Sequence, residues 1–185
     1  FLNVTGISDG AKCAIHTSFS SNDAWLYDWS GACDLYTYVP DNNFEQALID
    51  LGYDDVLNNV VVTDSISSVT SLDVEAKGIS DLTGIEGFTA LTFLHCQNNQ
   101  LTTLDMSSNT ALDNLSTGNN QLTSLDVSSN TALTELRCHV NQLTSLDVSS
   151  NTTLNRLVLY MNEITSLDVS SNTALTELFA NENQL

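Results

Sequence analysis

Histidine and cysteine stand side by side twice in this chain, as His95–Cys96 and Cys138–His139. A thiol beside an imidazole is the arrangement that activates a cysteine nucleophile. Neighbouring residues of an extended segment point to opposite sides, so neither pair can meet as nucleophile and base. The two histidines lie two repeats apart, too far to chelate one metal ion. Without a glycine-rich phosphate loop, a GxSxG motif or clustered metal ligands, the sequence predicts that the chain is not an enzyme.

A series of aspartates offers a second kind of chemistry. The carboxylates recur every 21 residues, at Asp105, Asp126, Asp147 and Asp168. Stacked at a strand spacing of about 4.8 Å they repel one another, and calcium, which prefers oxygen ligands, would relieve that repulsion. Each repeat supplies only one carboxylate, so calcium is the minor alternative to a solvated face. An ice-binding array of the neighbouring Thr and Ser residues is a smaller alternative still.

The same 21-residue interval governs most of the chain. Units of the form LxxLxCxxNxLTSLDVSSNTA carry the leucine-rich-repeat signature LxxLxLxxNxL, with a variable residue in place of the third leucine. The first leucines are Leu91, Leu112, Leu133, Leu154 and Leu175. Because such repeats stack into a solenoid, the predicted fold is an α/β-type leucine-rich-repeat solenoid with strand-dominated coils and a short helical N-terminal cap.

Alternation of side chains assigns the two sides of each coil. The LxxLxC and LTSLDV segments resemble each other, so we expect two short extended segments in every coil, with Leu94, Cys96, Leu104 and Met106 pointing inward. Two asparagine series should turn inward and bond the backbone. They are Asn99, Asn120, Asn141, Asn162 and Asn183, and Asn109, Asn130, Asn151 and Asn172. Cys96 and Cys138 lie about 10 Å apart, beyond the reach of a disulfide, so we expect buried free thiols.

The N-terminal part divides into two further segments. Residues 1–37 have no legible fold, and Cys13 with Cys33 would close a disulfide loop. Residues 38–66 read as the helical cap, in which Asn42 and Glu45 fit a capping box and Gly52 a helix stop. Residues 67–185 hold the leucine-rich repeats, the first of which is divergent and one residue longer than the others.

Composition limits the environment and the partners. The chain has 23 acidic and 4 basic residues, a net charge of −19, which argues against nucleic acid as a partner. No stretch of 18 apolar residues occurs, so we expect no membrane insertion. The acidic, lysine-poor surface favours an extracellular or cell-surface location. The chain ends at Leu185 within a repeat, and we expect it to continue into further repeats or domains.

Several stretches resemble known surface proteins. VPDNNFEQALIDLG and SVTSLDVEAKGISDLTGIEGFTALTFL, both within residues 39–94, look like the cap and first repeats of internalin-type proteins. The unit ALTELRCHVNQLTSLDVSSNT, residues 132–152, resembles those of internalin J-like surface proteins, including those of Bacteroidetes, in which cysteines form a ladder. Thr117, Leu159 and Ala180 interrupt that ladder here. The resemblance implies a secreted or surface-anchored protein that binds a protein or a polysaccharide.

The outward positions of the first segment, 93–181, break the monotony of the repeat, and we call them the variable strip. Both arginines of the chain, Arg137 and Arg156, fall here with three aromatic residues. The predicted ligand-binding residues are Phe93, His95, Arg137, His139, Arg156, Val158, Tyr160, Glu177 and Phe179. The favoured function is recognition or adhesion through this strip, because Arg and Tyr are frequent interface anchors. Alternatives are a carbohydrate-binding module that stacks sugars on the aromatics, a spacer that displays another domain, and mere pairing of Arg and Glu across repeats.

Overall fold

The computed structural model describes residues 10–12 and 35–185. The predicted leucine-rich-repeat solenoid is confirmed: successive coils each add one short strand to a six-stranded parallel sheet, in chain order. Its strands are β3 Ser71–Asp73, β4 Phe93–His95, β5 Asn114–Ser116, β6 Glu135–Arg137, β7 Arg156–Val158 and β8 Glu177–Phe179. Most of residues 1–34, including the predicted Cys13–Cys33 disulfide, lies outside the described residues.

One leucine column fixes the register of the whole sheet. Leu72 pairs with Leu94, and Leu115, Leu136, Leu157 and Leu178 follow at one residue per strand. The central leucines of β4 to β7 are fully buried, so the residues before and after them must face outward. Because the repeat has a constant length, equivalent residues of successive coils lie next to one another. The inward and outward positions predicted for the first segment are confirmed.

The inward asparagines bond the turning backbone, as predicted. Asn141 Nδ2 donates to the carbonyls of Thr117 and Cys138, while its Oδ1 accepts the N–H of Leu122 at 2.9 Å. In the second series, Asn130 Nδ2 donates to the carbonyls of Met106 and Asn109. Each asparagine thereby ties its own coil to the preceding one. Replacing one of these asparagines would leave backbone donors and acceptors inside the solenoid without hydrogen-bond partners.

The second half of each coil joins no sheet. LTSLDV was expected to be a second short extended segment, and in the described coils it is not assigned as a strand. A turn follows the segment, where Oδ1 of Asp105 accepts the N–H of Ser107 two residues on, and Asp126, Asp147 and Asp168 repeat this bond. The inward residue Met106 is nevertheless fully buried, as expected.

The segment before the repeats closes the first coil. Strand β1, Tyr36–Tyr38, pairs antiparallel with β2, Val60–Val62, and helix α1, Asn42–Asp50, lies between them in sequence. A short helix α2, Thr63–Ile66, and a 3₁₀ turn at Ile85–Gly87 lead into the coils. The predicted cap segment 38–66 thus contains α1, β2 and α2, and β1 begins just before it.

The capping box predicted for α1 is wrong. Asp41, not Asn42, is the N-cap, and its Oδ1 accepts the N–H groups of Asn43 and Phe44. Glu45 does not reach back to the N-cap, because its Oε1 accepts the N–H groups of Asn58 and Val60 instead. Asp41 Oδ2 also accepts from Ser80, so one carboxylate both starts the helix and docks it on the first coil.

Candidate functional site

The variable strip lies on one face of the parallel sheet, the outward face of β3 to β8, which we call the strand face. All nine predicted ligand-binding residues lie on it, in two groups. Phe93 and His95 belong to β4, while the other seven lie on or directly after β6, β7 and β8. Strand β5 separates the groups, and its outward Ser116 is fully buried. The outward direction predicted for these residues is therefore confirmed, but the single predicted strip consists of two separate clusters.

Charged side chains organise the larger cluster. Arg137 Nε donates to Glu135 Oε1 at 2.7 Å, and Arg156 Nε lies 3.1 Å from the same oxygen. Arg156 Nη1 also donates to Glu177. The Nε of Arg156 is buried and makes no aligned hydrogen bond, so its contact with Glu135 is electrostatic. The cross-strand pairing considered as an alternative from the sequence is present for Arg156, which pairs with Glu135 and Glu177 on its two neighbouring strands, whereas Arg137 pairs with Glu135 of its own strand.

Aromatic rings cover the flanks of these charges. The His139 ring stacks on Tyr160 with centroids 4.8 Å apart and planes 26° apart. Arg156 lies over the Phe179 ring, 5.3 Å from its centroid, within range of a cation–π interaction. Both contacts join adjacent coils: Phe179 lies against the Arg156 guanidinium group, and the His139–Tyr160 pair offers apolar area beside it.

His139 has a second neighbour that the sequence did not suggest. Gly118, on the preceding coil, lies beneath its ring, and a Cβ at Gly118 would come within 2.3 Å of the ring. Burial lowers the pKa of His139, and the nearby Arg137 charge lowers it further. The ring is therefore neutral at neutral pH and stacks on Tyr160 without a charge.

Val158 corrects one expectation about the site. Its side chain was predicted to contribute to binding, but the residue is only 6% exposed. Val158 pairs with Arg137 on one side and with Phe179 on the other, and these longer side chains flank it. It therefore supports its neighbours and offers a partner little contact area.

Two acidic residues beside His95 escaped the sequence analysis. Asp73 lies directly opposite His95 in the β3–β4 pair, and Glu75 follows two residues later on the same side. Ligand atoms of the three residues all lie within 4.8 Å of one another. The usable signal was the longer first repeat: aligning Leu72 with Leu94 puts Asp73 beside His95. The Phe93 ring contacts His95 at a centroid distance of 4.2 Å.

The repeated aspartates lie on a different face, which we call the turn face. Hydrogen bonds from the backbone and hydroxyl of Ser107 lower the pKa of Asp105, and equivalent serines lower those of Asp126, Asp147 and Asp168. A shallow groove follows this face and is lined by residues such as Leu104, Asp105, Ser124 and Asp126. At its cap-side end the groove is lined by residues of the divergent first coil, such as Asp81 and Glu86. Calcium at these aspartates stays a prediction.

The cysteines have a structural role in the described coils. Cys96 and Cys138 are free and fully buried, which confirms the prediction of unbridged thiols. Burial raises the pKa of each thiol to about 12, so both are protonated at neutral pH and are poor nucleophiles. His95 and His139 lie on the outward side of the same strands, away from the sulfur atoms.

Comparison with known proteins places this geometry among bacterial leucine-rich-repeat proteins, although no protein-family model matches the chain. Internalin J of Listeria monocytogenes serotype 4b (strain F2365) is 42% identical over 73 residues, 40% of this chain and 8% of that protein. The solved functional domain of the Listeria monocytogenes InlJ protein, which includes a cysteine ladder, aligns with a TM-score of 0.59 and 31% identity over 80% of this chain and 43% of that one.

A leucine-rich-repeat protein of Leptospira interrogans shares the fold, with a TM-score of 0.56 and 24% identity over 64% of this chain and 33% of that one. The chain thus spans less than half of the solved structures and under a tenth of internalin J. Together the comparisons support an internalin-like leucine-rich-repeat protein. Among the described residues, no helix is both long and apolar enough to cross a membrane.

Proposed function

We propose that this chain is an extracellular recognition module that binds a protein partner through the strand face, with Arg137, His139, Arg156 and Tyr160 at the centre of the contact. The likeness to internalin J supports a surface recognition module. It says nothing about which partner is bound. From the resemblance of its repeat unit, we also propose that the protein is of the Bacteroidetes type.

The observation that carries the proposal is the fixed cluster on β6 to β8. Both arginines of a chain with only 4 basic residues lie there, held by Glu135 and Glu177 and flanked by Tyr160 and Phe179. Arginine and tyrosine are enriched among the residues that contribute most to protein–protein binding. Because these contacts already restrain the side chains of the cluster, they would lose less conformational entropy when a partner binds.

Charge suggests how the partner is held. The two guanidinium groups and two carboxylates of the cluster nearly cancel, so this part of the surface repels an acidic partner less than the rest of the chain does. Arg137 uses Nε for Glu135, and its terminal nitrogens can receive a carboxylate in bidentate geometry. A protein partner with an exposed acidic residue beside an apolar one fits this arrangement.

The test measures binding of the full chain to intact cells, before and after the cells are treated with protease or with glycosidases. The variant carries Arg137→Ala, Arg156→Ala and Tyr160→Ala, and circular dichroism verifies its fold. A matched control carries Ser124→Ala, Ser145→Ala and Ser166→Ala on the turn face. We expect the strand-face variant to lose binding, the turn-face variant to keep it, and added salt to weaken it.

Each alternative function gives a different result in that test. Binding that survives protease and disappears with glycosidases would show that the ligand is a carbohydrate, and single changes at Phe93, Tyr160 and Phe179 would then matter most. Binding equal in the two triple variants would move the contact away from the strand face. If no cell surface binds the chain, the spacer function is favoured.

A further inference from the structure

Three side chains of two chemical types meet at the cap-side end of the strand face. They are Asp73 and Glu75 from the first coil and His95 from the second, with ligand atoms within 4.8 Å of one another. We propose that these three residues bind a divalent transition-metal ion, with Zn²⁺ the best match. This inference does not rest on the proposed function, because it concerns a different group of residues and a ligand that can be tested alone.

The sheet itself brings the three residues together. Asp73 and His95 are register partners in the parallel β3–β4 pair. The leucines before them, Leu72 and Leu94, are buried, which directs Asp73 and His95 outward. Val74 is buried too, so Glu75 returns to the outward side next to Asp73. The triad therefore needs no special loop, because it follows from the alternation of two neighbouring strands.

Neighbouring groups hold each carboxylate by one oxygen. Asp73 Oδ1 accepts the backbone N–H of Glu75 at 3.0 Å. Glu75 Oε1 accepts from Asn98 Nδ2 at 2.7 Å, and Asn98 Oδ1 accepts in turn from Asn119 Nδ2. The second oxygen of each carboxylate remains for a metal ion. Such outer hydrogen bonds orient ligands in metal sites and are part of their affinity.

Charge distinguishes this triad from the rest of the strand face. In the cluster on β6 to β8, Glu135 and Glu177 are paired with arginine. Within the described parts of the chain, neither Asp73 nor Glu75 has a basic partner in an ion pair, and Lys77 pairs with Asp50 instead. Two adjacent carboxylates without a counter-charge favour a cation. The histidine adds a nitrogen ligand where a purely acidic patch would offer only oxygen.

The donor set selects the type of metal. Three atoms within 4.8 Å of one another can share an ion placed at most about 2.8 Å from each, and Zn–N and Zn–O bonds are about 2.0–2.2 Å. Small rotations of these partly exposed side chains close that gap. Imidazole suits zinc, nickel, copper and iron, whereas calcium takes oxygen ligands almost exclusively. One histidine with two carboxylates leaves the fourth tetrahedral position of Zn²⁺ for water or for a partner's side chain.

The chain contains only three histidines, His16, His95 and His139, which makes a direct test feasible. Proton–carbon NMR spectra of the imidazole groups, assigned with His95→Ala and His139→Ala, report each ring separately. We expect Zn²⁺ to shift the His95 signals and Co²⁺ to shift or broaden them through its unpaired electrons. The His139 signals should change much less, because among residues 10–12 and 35–185 no pair of acidic groups lies within metal-sharing distance of that ring.

Calorimetric titration of the full chain with Zn²⁺ measures the affinity. Asp73→Asn, Glu75→Gln and His95→Ala should each weaken this site at least about 10-fold, while His139→Ala leaves it unchanged. Asn98→Gly, which suits the left-handed backbone at that residue, should weaken it about 10-fold through the lost support of Glu75. Unchanged His95 signals at millimolar Zn²⁺, or equal affinity in the His95→Ala protein, would overturn the proposal. Neither result depends on whether the β6–β8 cluster binds cells, so failures of the two proposals are distinguishable.

Discussion

The strand face and the turn face come from the same 21-residue unit, yet they use it in opposite ways. On the turn face, Asp105 and its equivalents each accept the N–H of the residue two positions on, in the second to fifth coils. On the strand face, each pair of neighbouring coils makes different side-chain contacts: Asn114 donates to Glu135, and His139 stacks on Tyr160. A side chain that the backbone needs is repeated, and one that contacts only its neighbours is free to vary.

This difference changes how a monotonous surface is interpreted. From the sequence alone, the identical aspartates suggested a solvated face or a series of calcium ligands. The structure gives them a local reason to repeat, because each one closes a turn of its own coil. Variation on the strand face, by contrast, has no such backbone requirement behind it. The residues of the variable strip can therefore change without loss of the scaffold, and our proposal assigns recognition to them.

The largest effect on stability is expected at the buried asparagines, because both faces depend on the scaffold that they hold together. Asn141→Ala removes the acceptor of the Leu122 N–H and the donor to the Thr117 and Cys138 carbonyls. We expect a loss of about 3 kcal/mol in the free energy of unfolding, because buried backbone groups would lose their partners. Urea unfolding followed by circular dichroism measures it. The control Asn155→Ala alters an exposed side chain and should cost under about 0.5 kcal/mol. Equal losses in the two variants would contradict the role of the ladder.

A smaller effect is expected on the turn face, and it depends on pH. The folded state lowers the pKa of Asp105, Asp126, Asp147 and Asp168 below the ordinary value of 3.8 through hydrogen bonds from the following serines. A lowered pKa contributes stability that is present above the unfolded value and is lost as pH falls through the folded value. Changing all four to asparagine keeps an acceptor for each turn but removes this titration.

The fourfold variant should therefore lose less stability than the parent chain between about pH 4 and pH 2. At neutral pH the two proteins should unfold at similar urea concentrations, since removing the repulsion among the aspartates offsets weaker turns. Urea midpoints measured over this pH range decide the matter. Parallel curves for the two proteins would show that the aspartates do not hold the turns by charge. Titration with Ca²⁺ in the same experiment tests the calcium prediction.

The smallest effect on stability, and the sharpest on the strand face, is expected at Gly118→Ala. The new Cβ would meet the His139 ring, which must turn away from Gly118 and from its stack on Tyr160. Because the obstacle is a side chain that can rotate, the unfolding free energy should change by less than about 1 kcal/mol. The pKa of His139 should rise toward its ordinary value as its burial is lost.

An NMR titration of the His139 ring in both proteins measures that change. The control is Ser116→Ala, a change two residues earlier in the same coil, at a side chain whose hydroxyl bonds Gln97 on the other side. It should leave the His139 pKa unchanged. A His139 pKa that is the same in the Gly118→Ala protein and in the parent would show that the preceding coil does not cover the ring.

Most of the scaffold could be predicted because it follows from period and alternation. Period and alternation together direct Leu94, Cys96 and Asn99 inward, and the equivalent positions recur in five successive repeats. The turn after the second segment was not predicted, because it depends on the bond from Ser107 to Asp105, which a hydrophobic pattern does not reveal. The capping box was wrong because Asp41, one residue before Asn42, also suits an N-cap and accepts the first N–H groups of the helix, while Glu45 bonds the distant Asn58.

The site was less predictable, since it depends on which coils are neighbours. Val158 was expected to face a partner, but its exposure is set by the lengths of Arg137 and Phe179 beside it. Asp73 was missed because the first repeat has a different length, which hides its alignment with His95. Outward direction follows from one strand alone. What each side chain contacts requires the two adjacent strands as well.

The place of Gly118 beneath His139 has a consequence for how such a protein can change by recombination. Removing the unit 112–132 would leave every leucine and asparagine in register, since each coil contacts mainly its neighbours. On the preceding coil, Gln97 would then take the place of Gly118 beside His139. The longer side chain of Gln97 would fill the space that the His139 ring now occupies. New surfaces can thus arise by reordering existing units with no point mutation at all. In a lineage of such proteins, the order of the units is inherited information as much as their content is.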